Sequence, residues 1–403
     1  LTDPSYRTDE RPTLSRSHEP SPIGTGPAAE ISASHADARG NAPSIAQAGA
    51  HAIAPAHGAT GAALALALLR LARPHQWSKG AFVLVGGLYG GVIASMLLPL
   101  GLAFVAFALA SSACYVVNDI RDRHADGSHP RKRRRPIASG AVSVSTGSIF
   151  AAALLIGAAG CVALLAALGP SVGVAHDATG VAIRQVPAWL SATLVGAALA
   201  VYVANTMLYS FVLKHLVIVD VMSLALGFVL RVLGGCAAAL VMPSTYLLNV
   251  TLFLAMFLAF GKRLGERRTL GEGASAARGV QAGYTDELLR MVVVVTAVAC
   301  LVTYAGYVQT QGQRYTYGFN LLWLTMIPAT YGLLRAILLV ESGRYDDPTE
   351  LATHDRPFQL SAACFGLLTV ALMAAMPATI AGAGGAAAGG AVDGGGTMGL
   401  HVP

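Results

Sequence analysis

Asn118, Asp122 and Asp126 stand four residues apart at the end of a long apolar run. At about 100° per residue their positions drift only about 80° around a helix axis, so the spacing predicts three oxygen donors on one face. A carboxamide and two carboxylates suit a hard divalent cation, above all Mg2+ shared with phosphate oxygens. Just downstream, Arg131-Lys132-Arg133-Arg134-Arg135-Pro136 forms a dense cationic block. Acids beside cations at the mouth of an apolar helix are what a phosphate-handling site needs. A plainer alternative divides in two: a solvated acidic helix end, and a basic block that sets membrane topology. The topology reading is preferred for the block as a whole. For the acids, the regular spacing favours ligation.

The elements that position these residues are membrane helices. The chain of 403 residues is 54% apolar and only 12% charged, against about 25% charged in soluble domains. Apolar runs near the ~20 residues needed to cross a bilayer recur along it. They predict an all-α, polytopic transmembrane bundle of about nine spans, near 80–98, 99–117, 146–168, 187–208, 216–241, 243–260, 288–308, 319–340 and 358–380. A short apolar stretch, Ala62 to Leu71, reads as an interfacial amphipathic helix, and Trp77 as an interfacial anchor. Residues 1–60 read as a disordered extension without a signal-peptide pattern, residues 61–380 as the catalytic domain, and 381–403 as a flexible Gly/Ala-rich tail. The five cysteines are scattered singly and form neither a metal-spaced pair nor a disulfide framework. In such a protein the net charge of +6 sets topology, and no nucleic-acid partner is expected.

Segments 61–79, 119–145, 209–215, 261–287 and 341–357 hold 18 Lys and Arg, whereas the segments on the other side hold two, Arg184 and Arg314. The positive-inside rule therefore places the charged loops and the N-terminus in the cytoplasm and the C-terminus outside. The same loops carry Tyr209 and Lys214, then Lys262 and Arg263, then Asp346, Asp347, Asp355 and Arg356. Asp220 and Arg231 lie inside the fifth apolar run, where an unpaired charge is costly. Eleven residues apart, they fall within about 20° on one helix face. They either face a polar cavity or pair with neighbouring helices; both readings stand.

Asn118-Asp119-x-x-Asp122-x-x-x-Asp126, followed by Arg135-Pro136-Ile137-Ala138-Ser139-Gly140, resembles the first signature of the UbiA-type membrane prenyltransferase superfamily at every fixed position. Arg73-Pro74 with Lys79 is similar to the family's opening, which implies that Lys79 faces the polar cavity rather than snorkelling to the interface. Family members usually carry a second motif, Asp-x-x-x-Asp, near the fifth helix; here Asp220 is followed by Leu224. The surrounding Tyr209-Ser210-x-x-Leu213-Lys214 and Asp220 resemble the actinobacterial branch that makes decaprenylphosphoryl-5-phosphoribose. That resemblance implies a plasma-membrane glycosyltransferase at the cytoplasmic leaflet. It would move 5-phosphoribose from phosphoribosyl diphosphate to decaprenyl phosphate, for cell-wall arabinan. It implies Mg2+ on Asn118, Asp122 and Asp126, with Asp119 a weaker candidate, and substrate binding by Lys79, Arg135, Tyr209, Lys214, Asp220, Arg231, Lys262 and Arg263. The rivals are a prenyltransferase with an aromatic or haem acceptor, and a transporter whose path is lined by Asp220 and Arg231.

Overall fold

Ala103, Ala106, Ala110 and Ala113 recur at three- and four-residue spacing along α3 (Leu97–Arg121), and all four are buried. Small side chains let neighbouring helices approach closely, which matters in lipid, where no hydrophobic force drives helices together. The computed structural model describes residues 61–375, apart from 91, 129–131, 170–171, 178–179, 271–282, 312–318 and 343–353. The extension 1–60, the tail 381–403, and Arg131, Arg314, Asp346 and Asp347 lie outside the described residues.

In chain order the helices are α1 (Gly61–Ala72), α2 (Ala81–Tyr89), α3, α4 (Arg123–Ser128), α5 (Val144–Leu168), α6 (Ala188–Phe211), α7 (Val219–Ala238), α8 (Thr245–Leu270), α9 (Asp286–Thr310), α10 (Met326–Glu341) and α11 (Arg356–Ala375). One core, with Val83, Leu100, Phe107, Leu165, Val195 and Leu230, joins α2, α3, α5, α6 and α7. A second, with Val221, Phe257, Phe260, Leu289 and Leu339, joins α7 to α8, α9 and α10. Helix α7 contributes to both, so it links the two halves of the bundle. The end of the bundle that carries residues 119–145 is called the motif end below.

Eight helices among the described residues are long and apolar enough to cross a membrane. The remaining expected span, 80–98, is not one helix. A 3-10 segment, Pro74–Gly80, runs into α2, and turns lead from Gly90 to α3. This segment descends antiparallel to α3: Arg73 reaches Asp119, Trp77 reaches Ser112, and Gly87 packs on Leu100. Seven residues at ~2.0 Å and nine at ~1.5 Å give roughly 27 Å, close to the ~30 Å hydrocarbon thickness. The ninth crossing is thus a compound one that begins at Pro74. Glycines permit it, since a Cβ at Gly235 of α7 would lie 1.8 Å from the Val83 carbonyl oxygen and one at Gly86 would lie 2.6 Å from Cys236 Sγ.

Trp77 is tied into the bundle by its indole. Its Nε1 donates to Ser112 Oγ at 3.0 Å, and Ser112 Oγ donates to the Ala72 carbonyl at 2.7 Å, which fixes the end of α1 to α3. Helix α1 lies as expected near the motif end, with Leu71 buried beside Ala113 and Val116 while Leu66 and Leu69 are exposed. A short hairpin joins α5 to α6 within the all-helical bundle. Strands β1 (Val172–Asp177) and β2 (Gly180–Gln185) form an antiparallel hairpin at the end opposite the motif, with Asp177 paired to Gly180. Val172, Val174, Val181 and Ile183 alternate along it, a strand pattern too short to compete with the helical signal around it.

Candidate active site

Helix α3 stops at Arg121, with Asp122 as its cap, and α4 starts one residue later. The Asp122 amide still donates to the Asn118 carbonyl at 2.9 Å, and the Asp126 amide to the Asp122 carbonyl at 2.8 Å. Helical hydrogen bonding therefore bridges the join, and the four-residue register is kept.

The carboxylates have different partners. Asp119, 2% exposed, accepts both contacts of Arg73 Nη2, at 2.7 and 2.8 Å, and one from Arg135 Nη1 at 3.0 Å. Arg135 Nη1 also donates to Asp126 Oδ2 at 2.7 Å. Arg135 is thus the bridge between two motif acids, and Asp119 is the anchor of the network. Arg73 holds a left-handed backbone (φ 52°) just before Pro74, and its guanidinium lies 5.1 Å from the Tyr115 ring. The turn that follows closes with the Val142 amide on the Pro136 carbonyl at 3.0 Å. Gly140 sits there at φ 77° with open space around its Cα, so backbone conformation accounts for the motif glycine.

Asp122 is the accessible acid. Its carboxylate, 26% exposed, accepts from Lys214 Nζ at 3.1 and 3.2 Å. The Asn118 carboxamide and Asp126 Oδ1 have no hydrogen-bond partner among the described residues. Two carboxylates and an open carboxamide are the hard donors that Mg2+ takes, usually with water or substrate phosphate completing the shell. Among the described residues no three His, Cys, Asp or Glu side chains form a metal cage by themselves. The donor set fits a cation that is shared with a substrate.

Lys214 lies in the 3-10 turn Leu213–His215 between α6 and α7. This connection starts where Arg121 Nη2 donates to the Phe211 carbonyl at 3.2 Å, with the guanidinium 4.5 Å from the Phe211 ring. It ends at Ile218, whose φ of 70° and ψ of −47° are close to a strained γ-turn. A β-branched residue in this region is an outlier, costing on the order of 1–3 kcal/mol.

Asp220 is fully buried and binds across helices. Its Oδ2 accepts from Arg263 Nε at 3.1 Å and Nη2 at 2.9 Å, and its Oδ1 accepts from Tyr284 Oη at 2.6 Å. Tyr284 Oη in turn accepts the Ile218 amide at 2.7 Å. Burial, and then the hydrogen bond to Asp220, push the Tyr284 phenol above its ordinary range, so it stays a donor. Removing one partner from a pair this buried costs about 3–5 kcal/mol. Tyr209 is half-buried within electrostatic range of Arg263, and Lys262 is half-buried beside it in α8.

Arg231 is also enclosed. Its Nη2 donates to Tyr202 Oη at 2.7 Å and its Nη1 to the Gly227 carbonyl at 3.0 Å, while the Tyr202 and Phe228 rings lie 4.5 and 5.5 Å from the guanidinium. Of the two readings of these intramembrane charges, the structure realises helix-to-helix partnering: Asp220 toward α8, Arg231 toward α6. Lys79 is half-buried in the descending 3-10 segment, between the levels of Ser112 and Phe104.

Further ion pairs tie the later helices to one another. Around the centre, Arg267 pairs with Asp286, Arg268 with Glu341 at 3.0 Å, and Arg335 with Asp355 at 2.9 Å, tying α8 to α9 and α10, and α10 to the start of α11. Sequence reasoning missed Tyr284 and the anchoring by Arg73. Tyr284 had a weak signal, standing just before Thr285, which caps α9 by accepting the Leu288 amide at 3.1 Å.

A profile of the UbiA prenyltransferase family matches residues 79–362. A decaprenyl-phosphate phosphoribosyltransferase of Corynebacterium glutamicum is 32% identical over 319 residues, which cover 78% of this chain and 89% of the relative. The enzyme of that name from Mycobacterium tuberculosis is 30% identical over 305 residues, covering 74% and 91%. Among solved structures, a UbiA homologue from Archaeoglobus fulgidus bound to DMAPP and Mg2+ superposes with a TM-score of 0.55 at 17% identity, over 76% of this chain and 99% of its own. Profile, relatives and fold agree with the motif and the bundle that carries it: the chain belongs to the UbiA prenyltransferase family.

Proposed function

We propose that this protein transfers 5-phosphoribose from phosphoribosyl diphosphate to a polyprenyl phosphate of the decaprenyl type, at the cytoplasmic face of the plasma membrane. The observation that carries the reading is the pairing of Asp122 with Lys214, which joins the family motif to the connection resembling the phosphoribosyltransferase branch. The named relatives, matched over about nine tenths of their lengths, support phosphoribosyl transfer to decaprenyl phosphate. The basic excess of the motif-end loops supports the orientation.

In this reaction an oxygen of the acceptor phosphate bonds to C1 of the ribose, and the C1–O bond to the diphosphate breaks with its electron pair leaving on the diphosphate. The attacking oxygen is already anionic, so no side chain has to remove a proton. Asn118, Asp122 and Asp126 would hold Mg2+, whose chemistry is to neutralise the leaving diphosphate. Lys214 and Lys262 would orient phosphates, with Tyr209 as a hydrogen-bond donor. Asp119, Arg73 and Arg135 hold the motif loop in place. Asp220 serves the protein's own structure, and with Leu224 one turn later α7 offers no second carboxylate pair. That Asp220 bonds to Arg263 and Tyr284, and Arg231 to Tyr202 and Gly227, weighs against a transport path lined by the two charges.

The test is incubation of purified protein, polyprenyl phosphate and Mg2+ with labelled phosphoribosyl diphosphate, and separately with labelled prenyl diphosphate and an aromatic acceptor. Phosphoribosyl label in the lipid fraction is the expected outcome. Label entering only from the prenyl donor would replace this reading with the commoner family activity.

A further inference from the structure

The connection from Phe211 to Val219 carries Lys214, and its backbone is held from outside. Near its start Arg121 grips the Phe211 carbonyl, and the 3-10 turn is closed by the His215 amide on the Val212 carbonyl at 3.2 Å and the Leu216 amide on the Leu213 carbonyl at 3.0 Å. At its end the chain must pass through Ile218 at φ 70° to enter α7. The group that meets this residue is a side chain remote in sequence: Tyr284 Oη takes the Ile218 amide while donating to Asp220, which Arg263 fixes in turn. Tyr284 is 2% exposed, with its ring edge-on to Phe260 at 6.3 Å, so its hydroxyl is held in place. Next to it, Gly283 approaches the connection so closely that a Cβ there would lie 2.4 Å from Val217 Cγ2.

We propose that Tyr284 is a positioning residue for Lys214. Its hydroxyl holds Ile218 in this positive-φ, γ-turn-like conformation, and that conformation sets the direction in which the Lys214 turn leaves α7. Without the hydroxyl, Ile218 relaxes toward negative φ, the segment before it swings, and Lys214 leaves its place over Asp122. The inference deepens the proposed function, because the kinetic consequence assumes that Lys214 contacts the phosphoribosyl donor. The structural consequence does not.

The experiment compares full-length wild type, Tyr284→Phe, Lys214→Ala and the double variant in lipid nanodiscs, with two readouts. In hydrogen exchange, Tyr284→Phe is expected to speed exchange across 212–220 while α3 and α5 stay protected. In kinetics, the Michaelis constant for phosphoribosyl diphosphate rises about tenfold with kcat nearly unchanged, and Tyr284→Phe adds nothing further in the Lys214→Ala background. Ile218→Gly, which accepts φ above zero without a Cβ penalty, restores the donor Michaelis constant of Tyr284→Phe. A tyrosine that only supports the fold gives no such rescue. Unchanged exchange at 212–220 overturns the proposal, and so does a Tyr284→Phe penalty that is fully additive with Lys214→Ala. If the wild type does not use phosphoribosyl diphosphate, the functional reading falls, and exchange at 212–220 still decides whether Tyr284 holds the connection.

Discussion

Lys214 Nζ donates to both carboxylate oxygens of Asp122, at 3.1 and 3.2 Å, across 92 residues of chain. One partner ends the third helix and the other lies between the sixth and seventh, so the pair exists only once the bundle has closed. With both side chains about a quarter exposed, the pair contributes little to stability, on the order of 0–1 kcal/mol.

Asp122→Asn keeps the shape and removes the accessible charge of the proposed metal-binding set. If Asp122 holds the proposed cation, turnover should fall on the order of a thousandfold while the melting temperature changes little, because such a cation contributes several kcal/mol of transition-state stabilisation. Turnover near wild type at limiting Mg2+ would show that the cation binds elsewhere.

Asp119→Asn should behave in the opposite way. This buried acid neutralises Arg73 and Arg135, and its loss costs about 1–3 kcal/mol, moderated because both arginines can turn toward water. A melting temperature well below that of Asp122→Asn is the expected result, and equal stability of the two variants would refute the anchoring role.

Lys214→Ala should raise the Michaelis constant for phosphoribosyl diphosphate about ten- to a hundredfold, as expected for a charge-assisted contact of roughly 1.5–3 kcal/mol. Ribose 1-diphosphate, which lacks the 5-phosphate, should be a poor donor for the wild type and lose little more in the variant. An equal penalty for both donors would place Lys214 on the diphosphate instead.

Topology can be read from cysteine labelling in a background where the five native cysteines are replaced. Ser139 and Ser244 are exposed at opposite ends of the bundle. In sealed vesicles a membrane-impermeant maleimide should reach Ser139→Cys only from the cytoplasmic side and Ser244→Cys only from the other. Labelling of both from one side would contradict the nine crossings.

The motif, its four-residue register and the helical bundle were legible in the sequence, because helix periodicity and span length are local properties set by 3.6 residues per turn and the thickness of lipid. The broken first crossing was not legible: 80–98 reads as one apolar run, and its start at Pro74 shows only in the contacts of Arg73 with Asp119 and Trp77 with Ser112. The basic and acidic residue types at the mouth of the bundle were visible as types.

What the tertiary structure alone decided is the pairing. Asp119, Asp122 and Asp126 share one motif, yet one anchors two arginines, one meets Lys214 and one shares Arg135. Asp220 and Arg231, on the same face of one helix, turn to different neighbours. A buried charge settles with whatever counter-charge or hydrogen bond the packed helices bring within about 3 Å. That choice depends on residues dozens of positions away, which is why Tyr284 and its hold on Ile218 could not be read from the chain.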